Sequence, residues 1–372
     1  MTTDSVGLYV HIPFCIRKCN YCDFCSFSVD VFAEREVYID TLISEIRSYK
    51  DKNLKLNSIF FGGGTPTLLS LEEFEKIAEA IKETFEISAE AEFTIEANPK
   101  TLTEQKLLCY KSFGVNRISL GLQSIHENEL KFLGRIHSYE DFLSSYNLVR
   151  KVGIANVNID LMYGIPEQTK ESFEETIARV LSLSPEHISL YSLIIEEGTP
   201  FFEWRENLPL PCEDEECDMY YTADKLLSDN GYSHYEISNY AKAGFSCQHN
   251  LKYWIGEEYI GVGVSAYSYF NGVRFGNARS LSEYLCNYLE KYDIVKSDRE
   301  VMQYDFVMLR LRLADGFLLS EYKKRFGSDF FKEHEKVIKR YIDSGLMRLD
   351  GDKLSLTVSG FYVSNAILTE LL

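Results

Sequence analysis

The stretch Tyr9-Val-His-Ile-Pro-Phe-Cys15-Ile-Arg-Lys-Cys19-Asn-Tyr-Cys22 decides how this chain is read. A short apolar run of β type, Leu8–His11, leads directly into three closely spaced cysteines. Thiolates on such a loop form a compact arc suited to an iron–sulfur cluster. Three ligands on a four-iron cluster leave one iron without a protein ligand, open to a small molecule. The spacing by itself also admits a structural zinc site with Cys25 as the fourth ligand.

Working outward, further β-type runs follow at Ser58–Phe61, Phe93–Glu96, Arg117–Leu120, Val157–Leu161 and His187–Leu193. Amphipathic helical patterns separate them, at Ala33–Tyr49, Leu71–Thr84, Thr103–Ser112, Tyr139–Lys151 and Lys170–Leu183. Ser138 and Asp141 form a capping box at the start of the fourth helix. This alternation predicts an α/β fold of parallel strands joined by crossover helices. Six units predict a partial (β/α)6 barrel, because a complete one has eight.

The unusual polar residues fall at the carboxyl ends of these runs, the face that carries the active site in parallel (β/α) folds. The cysteines follow the first run, Gly62-Gly63-Gly64-Thr65-Pro66 the second and Glu96-Ala97-Asn98-Pro99 the third. Gln123 follows the fourth, and Asp160 stands near the end of the fifth. The glycines either bring backbone amides close to an anion or make a plain tight turn. No Lys-Ser/Thr pair follows them, so they are not a P-loop. Glu96, Gln123 and Asp160 can accept hydrogen bonds from ribose hydroxyls or an ammonium group, and Arg135 can hold a carboxylate bidentately. S-adenosylmethionine carries all of those groups, and its amino and carboxylate groups suit an open iron.

The chain has 372 residues and a formal charge of -18, from 39 basic and 57 acidic residues. Binding to nucleic acid or to an anionic membrane over a broad surface is therefore not expected. No apolar run reaches membrane-spanning length, and residues 1–6 lack a signal-peptide pattern. Nine cysteines without such a signal point to a reducing cytoplasm. Cys109, Cys212, Cys217, Cys247 and Cys286 read as packing or surface thiols. After Pro200 come an acidic helix, Glu213–Ser228, and an aromatic-rich region, Tyr232–Asn277. From Ser297 three helices, a hairpin around Leu349-Asp350-Gly351-Asp352 and a last helix predict a small winged-helix-like domain. Its balanced charge argues against a DNA-reading role. The expected organisation is a barrel over 1–236, a connecting region over 237–296 and a C-terminal domain over 297–372.

The cysteine stretch resembles the radical-SAM superfamily and, more narrowly, the oxygen-independent coproporphyrinogen III oxidase family. Supporting strings are Phe61-Gly-Gly-Gly-Thr-Pro-Thr67, Ile95-Glu-Ala-Asn-Pro99, Ile118-Ser-Leu-Gly-Leu-Gln-Ser124 and Leu133-Gly-Arg-Ile-His137. Asn158-Ile-Asp-Leu-Met-Tyr-Gly-Ile-Pro166 and His187-Ile-Ser-Leu-Tyr191 extend the likeness along the chain. The resemblance implies that Cys15, Cys19 and Cys22 hold a [4Fe-4S] cluster. It implies that Tyr9, Gly63, Gly64, Thr65, Glu96, Gln123, Arg135, Asp160 and Ile194 contact S-adenosylmethionine, Ile194 serving equally well as core.

Two branches of that family differ just after the third cysteine. The decarboxylating oxidases, which form protoporphyrinogen IX, resemble CxxxCxxCxC, whereas this chain has Phe24 at that position and its next thiol at Cys25. Phe24 is similar to the haem-chaperone branch, as is His249-Asn-Leu-Lys-Tyr-Trp254, an HNxxYW motif that in that branch is implicated in holding haem. The resemblance implies haem bound through His249, with Tyr253 and Trp254 packing on the porphyrin. It also implies acceptor haemoproteins as partners and an electron donor such as a flavodoxin or ferredoxin. Cys25 is expected to be a spare thiol.

Overall fold

The computed structural model describes residues 5–28 and 34–372. Its frame is six parallel strands in sequence order: β1 (Val6–Ile12), β2 (Lys55–Gly63), β3 (Glu86–Ala97), β4 (Arg117–Gln123), β5 (Asn156–Tyr163) and β6 (His187–Ser192). Each expected β run lies on one of these strands. The crossover helices are α1 (Arg35–Arg47), α2 (Leu71–Thr84), α3 (Glu104–Ser112), α4 (Glu127–Phe132), α5 (Tyr139–Val152) and α6 (Lys170–Leu183). Ala33, the expected start of the first helix, lies outside the described residues, as do Met1–Asp4.

Local chemistry fixes the helix starts. Ser70 with Glu73, Ser138 with Asp141 and Thr169 with Ser172 close reciprocal capping boxes, the second as the sequence predicts. Each box satisfies backbone donors that the first helical turn leaves open. The strands mix apolar and polar positions, and β4 is buried at every position. Both faces are covered, one by helices and the other by the barrel interior.

The sheet is larger than six strands. Short strands β7 (Ser233–Glu236) and β8 (Asn239–Ala241) continue it antiparallel beyond β6. On the other side β9 (Tyr259–Val262) pairs in parallel with β1, and β10 (Tyr267–Phe270), β11 (Val273–Gly276) and β12 (Tyr292–Lys296) extend it antiparallel. The result is an open twelve-stranded sheet with β1 in its interior. Residues after 296 add helices Arg299–Arg310, Leu319–Phe326 and Glu335–Asp343 around a three-stranded sheet. The Asp350-Gly351 turn closes its hairpin as expected, while Phe317–Leu318 supplies a third strand that the sequence did not reveal. Backbone bonds from Ile237 N–H to Arg312 O (3.0 Å) and from Ala314 N–H to Tyr235 O (3.0 Å) tie this part to the barrel. No helix among the described residues is long and apolar enough to cross a membrane.

One buried charge clamps the returning segment. Glu45 on α1 is fully buried and accepts from Gly263 N–H (2.8 Å), Tyr284 Oη (2.8 Å), Asn277 Nδ2 (2.9 Å) and Lys291 Nζ (2.7 Å). Removing one partner of a buried ion pair leaves the other uncompensated, at a loss of about 3–5 kcal/mol. Glu45→Ala is expected to lower the urea midpoint by that much stability without changing the secondary structure of the folded state; a loss below about 1 kcal/mol would refute the clamp.

Candidate functional site

Parallel pairing sets the carboxyl ends of the strands side by side. Ile12 pairs with Gly63, Phe61 with Ile95, Ala97 with Leu120, and Gly121 with Asp160. The loops that leave these ends enclose a cavity of about 400 Å³. Cys15, Cys19, Cys22, Gly63, Gly64, Thr65, Glu96, Gln123, Arg135, Asp160 and Ile194 all line it. Tyr9 and His249 do not.

The cysteine loop is anchored at its middle. Asn20 donates from its backbone to Leu133 O (3.0 Å) and from Nδ2 to Phe132 O (2.7 Å), and its own carbonyl accepts from Phe201 N–H (3.0 Å). Gly134 follows with φ +76°, and a Cβ there would meet Asn20 Oδ1 at 2.9 Å. That contact explains the glycine in the Leu133-Gly-Arg string. Arg135 then turns inward, giving Nη1 to Cys19 Sγ (3.6 Å) and Nη2 to Asn98 Oδ1 (2.5 Å). Asn98 Nδ2 donates to Thr65 Oγ1 (2.7 Å), which lies 3.8 Å from Cys15 Sγ. Two of the cysteines are thus joined through the ends of β2, β3 and the loop after β4. Asn98 was not among the expected ligands, although its string Glu96-Ala-Asn98-Pro is part of the signal.

The glycine turn makes no free anion nest. Gly63 N–H donates to Glu96 Oε2 (3.2 Å), Gly64 N–H to Ile12 O (2.8 Å) and Thr65 N–H to Phe14 O (2.7 Å). These amides fasten the glycine loop to the cysteine loop and to Glu96. Burial, with help from Asp160, pushes the Glu96 carboxyl up to about 8. Burial also raises Asp160, which accepts from Asn158 Nδ2 (2.7 Å) and Ser119 Oγ (3.3 Å). Gln123 has φ +63°, and its Oε1 is buried without a partner among the described residues. An orphaned acceptor on a strained residue is the pattern of a group waiting for a ligand donor.

Cys15, Cys19 and Cys22 line the cavity without Cys25, which argues against a four-thiolate zinc site. Cys25 is absent from the cavity lining; its Sγ donates to Arg279 O (3.6 Å), and His11 Nε2 lies 2.7 Å from its carbonyl oxygen. Burial pushes the Cys22 thiol up to about 11 and raises Cys15 as well. The rim is apolar and open: Phe24 and Ile194 are each 63% exposed, flanked by Ile16, Ile136 and Tyr191.

Tyr9 was expected at the ligand. It instead faces an inner chamber of about 210 Å³, with its hydroxyl 3.0 Å from His11 Nδ1. Through His11 it braces the Cys25 carbonyl, and so the tail of the cysteine loop. The chamber shares Glu96, Ser119, Asp160 and Tyr191 with the large cavity. His249, on helix α7 (Gln248–Ile255), closes its far side. The ring stacks on Phe60 at 5.2 Å, and Nδ1 and Nε2 lie 2.9 Å from Ser58 Oγ and 2.8 Å from Tyr253 Oη. Both ring nitrogens are engaged, so in this conformation the imidazole offers none to a haem iron.

The residues at 9–180 match the Radical SAM superfamily model, and 298–363 match the HemN C-terminal domain model. The fold and the three-cysteine cavity define a radical SAM protein, a class that carries a [4Fe-4S] cluster and S-adenosylmethionine. The Heme chaperone HemW of Lactococcus lactis is 35% identical over 98% of this chain and 96% of its own. That of Bacillus subtilis is 34% identical over 96% and 97%. The chain belongs to the HemW family. Coproporphyrinogen III oxidase HemN of Escherichia coli shares the fold, with TM-score 0.88 at 24% identity over 99% of this chain and 90% of that one.

Burial lowers His249 to about 3, His137 to about 3 and His11 to about 4. The unfolded chain takes up protons near pH 6.5 that the folded chain refuses, so stability is full above that value and falls as pH drops toward 4. Each such histidine contributes about 1.4 kcal/mol per pH unit below 6.5. Calorimetric unfolding of the metal-free protein is expected to show a steep fall in Tm from pH 7 to pH 5, with a shallower slope in His249→Gln; equal slopes would contradict the buried neutral ring.

Proposed function

We propose that this protein is a haem chaperone, which binds haem and passes it to acceptor haemoproteins, and that a flavodoxin or ferredoxin supplies electrons to its cluster. The observation that carries the reading is likeness over nearly the whole chain to proteins called Heme chaperone HemW. Phe24 supports it, standing on the cavity rim where the oxidase branch has a cysteine. In this reading Cys15, Cys19 and Cys22 hold the [4Fe-4S] cluster, with Arg135 and Thr65 bonding to the thiolates. Gln123 accepts from a ligand hydroxyl or ammonium, Glu96 and Asp160 face its positive charge, and Ile194 covers its apolar ring. When bound, the cluster and S-adenosylmethionine supply reductive cleavage of the sulfonium to an adenosyl radical.

Haem belongs, in this reading, to the helix of the HNxxYW motif. His249 acts there as a positioning residue, holding Tyr253 in place through Nε2 rather than ligating iron. Anaerobic protein with reductant, S-adenosylmethionine and coproporphyrinogen III is expected to form no protoporphyrinogen and to bind haem stoichiometrically. Turnover to protoporphyrinogen would favour the oxidase.

The Glu96 carboxyl gives a second test. A cationic ligand beside it favours the ionised form, so binding releases a proton wherever the free carboxyl is still protonated. Affinity for S-adenosylmethionine should rise up to about tenfold per pH unit between pH 6 and 8 and level off above. Titration calorimetry in buffers of different ionisation enthalpy reads the released proton. Glu96→Gln should abolish both the slope and the release; a pH-independent wild type would remove Glu96 from the site.

A further inference from the structure

A second cleft lies on the outer side of α7, away from the cysteines. It measures about 260 Å³ and runs between α7, the β9–β11 meander and the C-terminal helix Arg299–Arg310. Its walls are aromatic and thioether: Trp254, Tyr259 and Phe306, with Met302 and Met308. Thioether sulfur packs well on aromatic faces and adapts to an irregular guest. Arg312 lies over the Trp254 ring at 6.0 Å.

The lining carries Arg274, Arg310 and Arg325 against two carboxylates, Glu257 and Asp305. Arg274 pairs with Asp305, and Arg310 with Glu321 at 3.6 Å. Arg310 Nε nevertheless remains buried without a partner among the described residues. Arg325 has no carboxylate partner among the described residues; its guanidinium lies over Phe306 at 5.5 Å and Phe326 at 5.4 Å. A flat aromatic guest with carboxylates at one edge would meet the apolar walls with its face and these guanidinium groups with its edge.

We propose that this cleft is the haem seat, with the macrocycle against Trp254, Tyr259 and Phe306 and a propionate on Arg325. This rests on the chaperone reading and adds where the cargo sits. It also explains why the two ends of the HNxxYW motif look in opposite directions. His249 faces the inner chamber, Trp254 faces the cleft, and Tyr253 lines both.

The test is haem titration of the full chain, reconstituted with its cluster and read by Soret absorbance. Arg325→Glu should weaken haem at least about tenfold, the loss of one charge-assisted bond, with iron and sulfide content unchanged. Haem dimethyl ester, which lacks both carboxylates, should bind the wild type weakly and Arg325→Glu no worse. In a Trp204→Phe background Trp254 is the sole tryptophan, and its emission should fall almost to zero at saturation without any change at the cleft. Wild-type protein that binds haem while Arg325→Glu keeps its affinity, or while Trp254 stays bright, would overturn the cleft assignment alone. A wild type that binds no haem would overturn the chaperone reading and the seat with it.

Discussion

The seam between the cysteine loop and the glycine loop is the contact on which the site depends. Gly64 and Thr65 donate their backbone N–H groups to Ile12 and Phe14 carbonyls at 2.8 and 2.7 Å, which draws two loops from adjacent strands together. A Cβ at Gly64 would meet Phe14 O at 2.7 Å, so the seam closes only around glycine. With the seam closed, Thr65 reaches Cys15 and Asn98, and Asn98 orients Arg135 toward Cys19. Each link depends on the one before it. A side chain at Gly64 would therefore disturb cysteine placement without touching any ligand.

That rigidity is matched by an expensive interior. Glu92, Glu96, Arg117, Asp160, His187 and His249 are charged or ionisable groups enclosed by the barrel. Glu92 receives the backbone N–H groups of Gln248 and His249 at 3.0 Å each, which caps α7 with a buried carboxylate. His187 Nδ1 lies 2.6 Å from Asn158 Oδ1, and Asn158 Nδ2 donates to Asp160. Arg117 Nε has no hydrogen-bond partner among the described residues. Polar groups at this depth cost stability relative to an apolar core, and this network divides between lining the cavity and holding α7. Only the upper part of the network, around Glu96 and Asp160, touches the cysteine cavity. The lower part, around Ser58 and His249, holds α7.

The parallel frame is legible in the sequence because its short β-type runs alternate regularly with clear amphipathic helices. All six strands and the five expected helices occur, and eleven of the thirteen expected site residues line one cavity. Strand β9 is not legible because Tyr259–Val262 is short and overlaps the run Gly261-Val262-Gly263, with the look of a turn. Its partner β1 is the stronger clue: a strand apolar on both faces needs a neighbour on each side. Tyr9 and His249 share the periodicity and motif signals of the other ligands. Which way each faces depends on β1 and α7 packing against Ser58 and Phe60, a tertiary fact that no local pattern encodes.

The placement of α7 changes what the HNxxYW motif means. A motif read as a string suggests that its histidine and its aromatics act on one ligand together. On an eight-residue helix His249 and Tyr253 are one turn apart and stack along the inner face, while Trp254 turns outward. The helix is therefore a partition: one side completes the chamber beneath the cluster cavity, and the other forms a wall of the aromatic cleft. Tyr253 crosses it, with its hydroxyl on His249 and its ring edge-on to Tyr259 at 4.5 Å. Residues of α7 thus line both the chamber that adjoins the cysteine cavity and the aromatic cleft, which gives the two a shared wall.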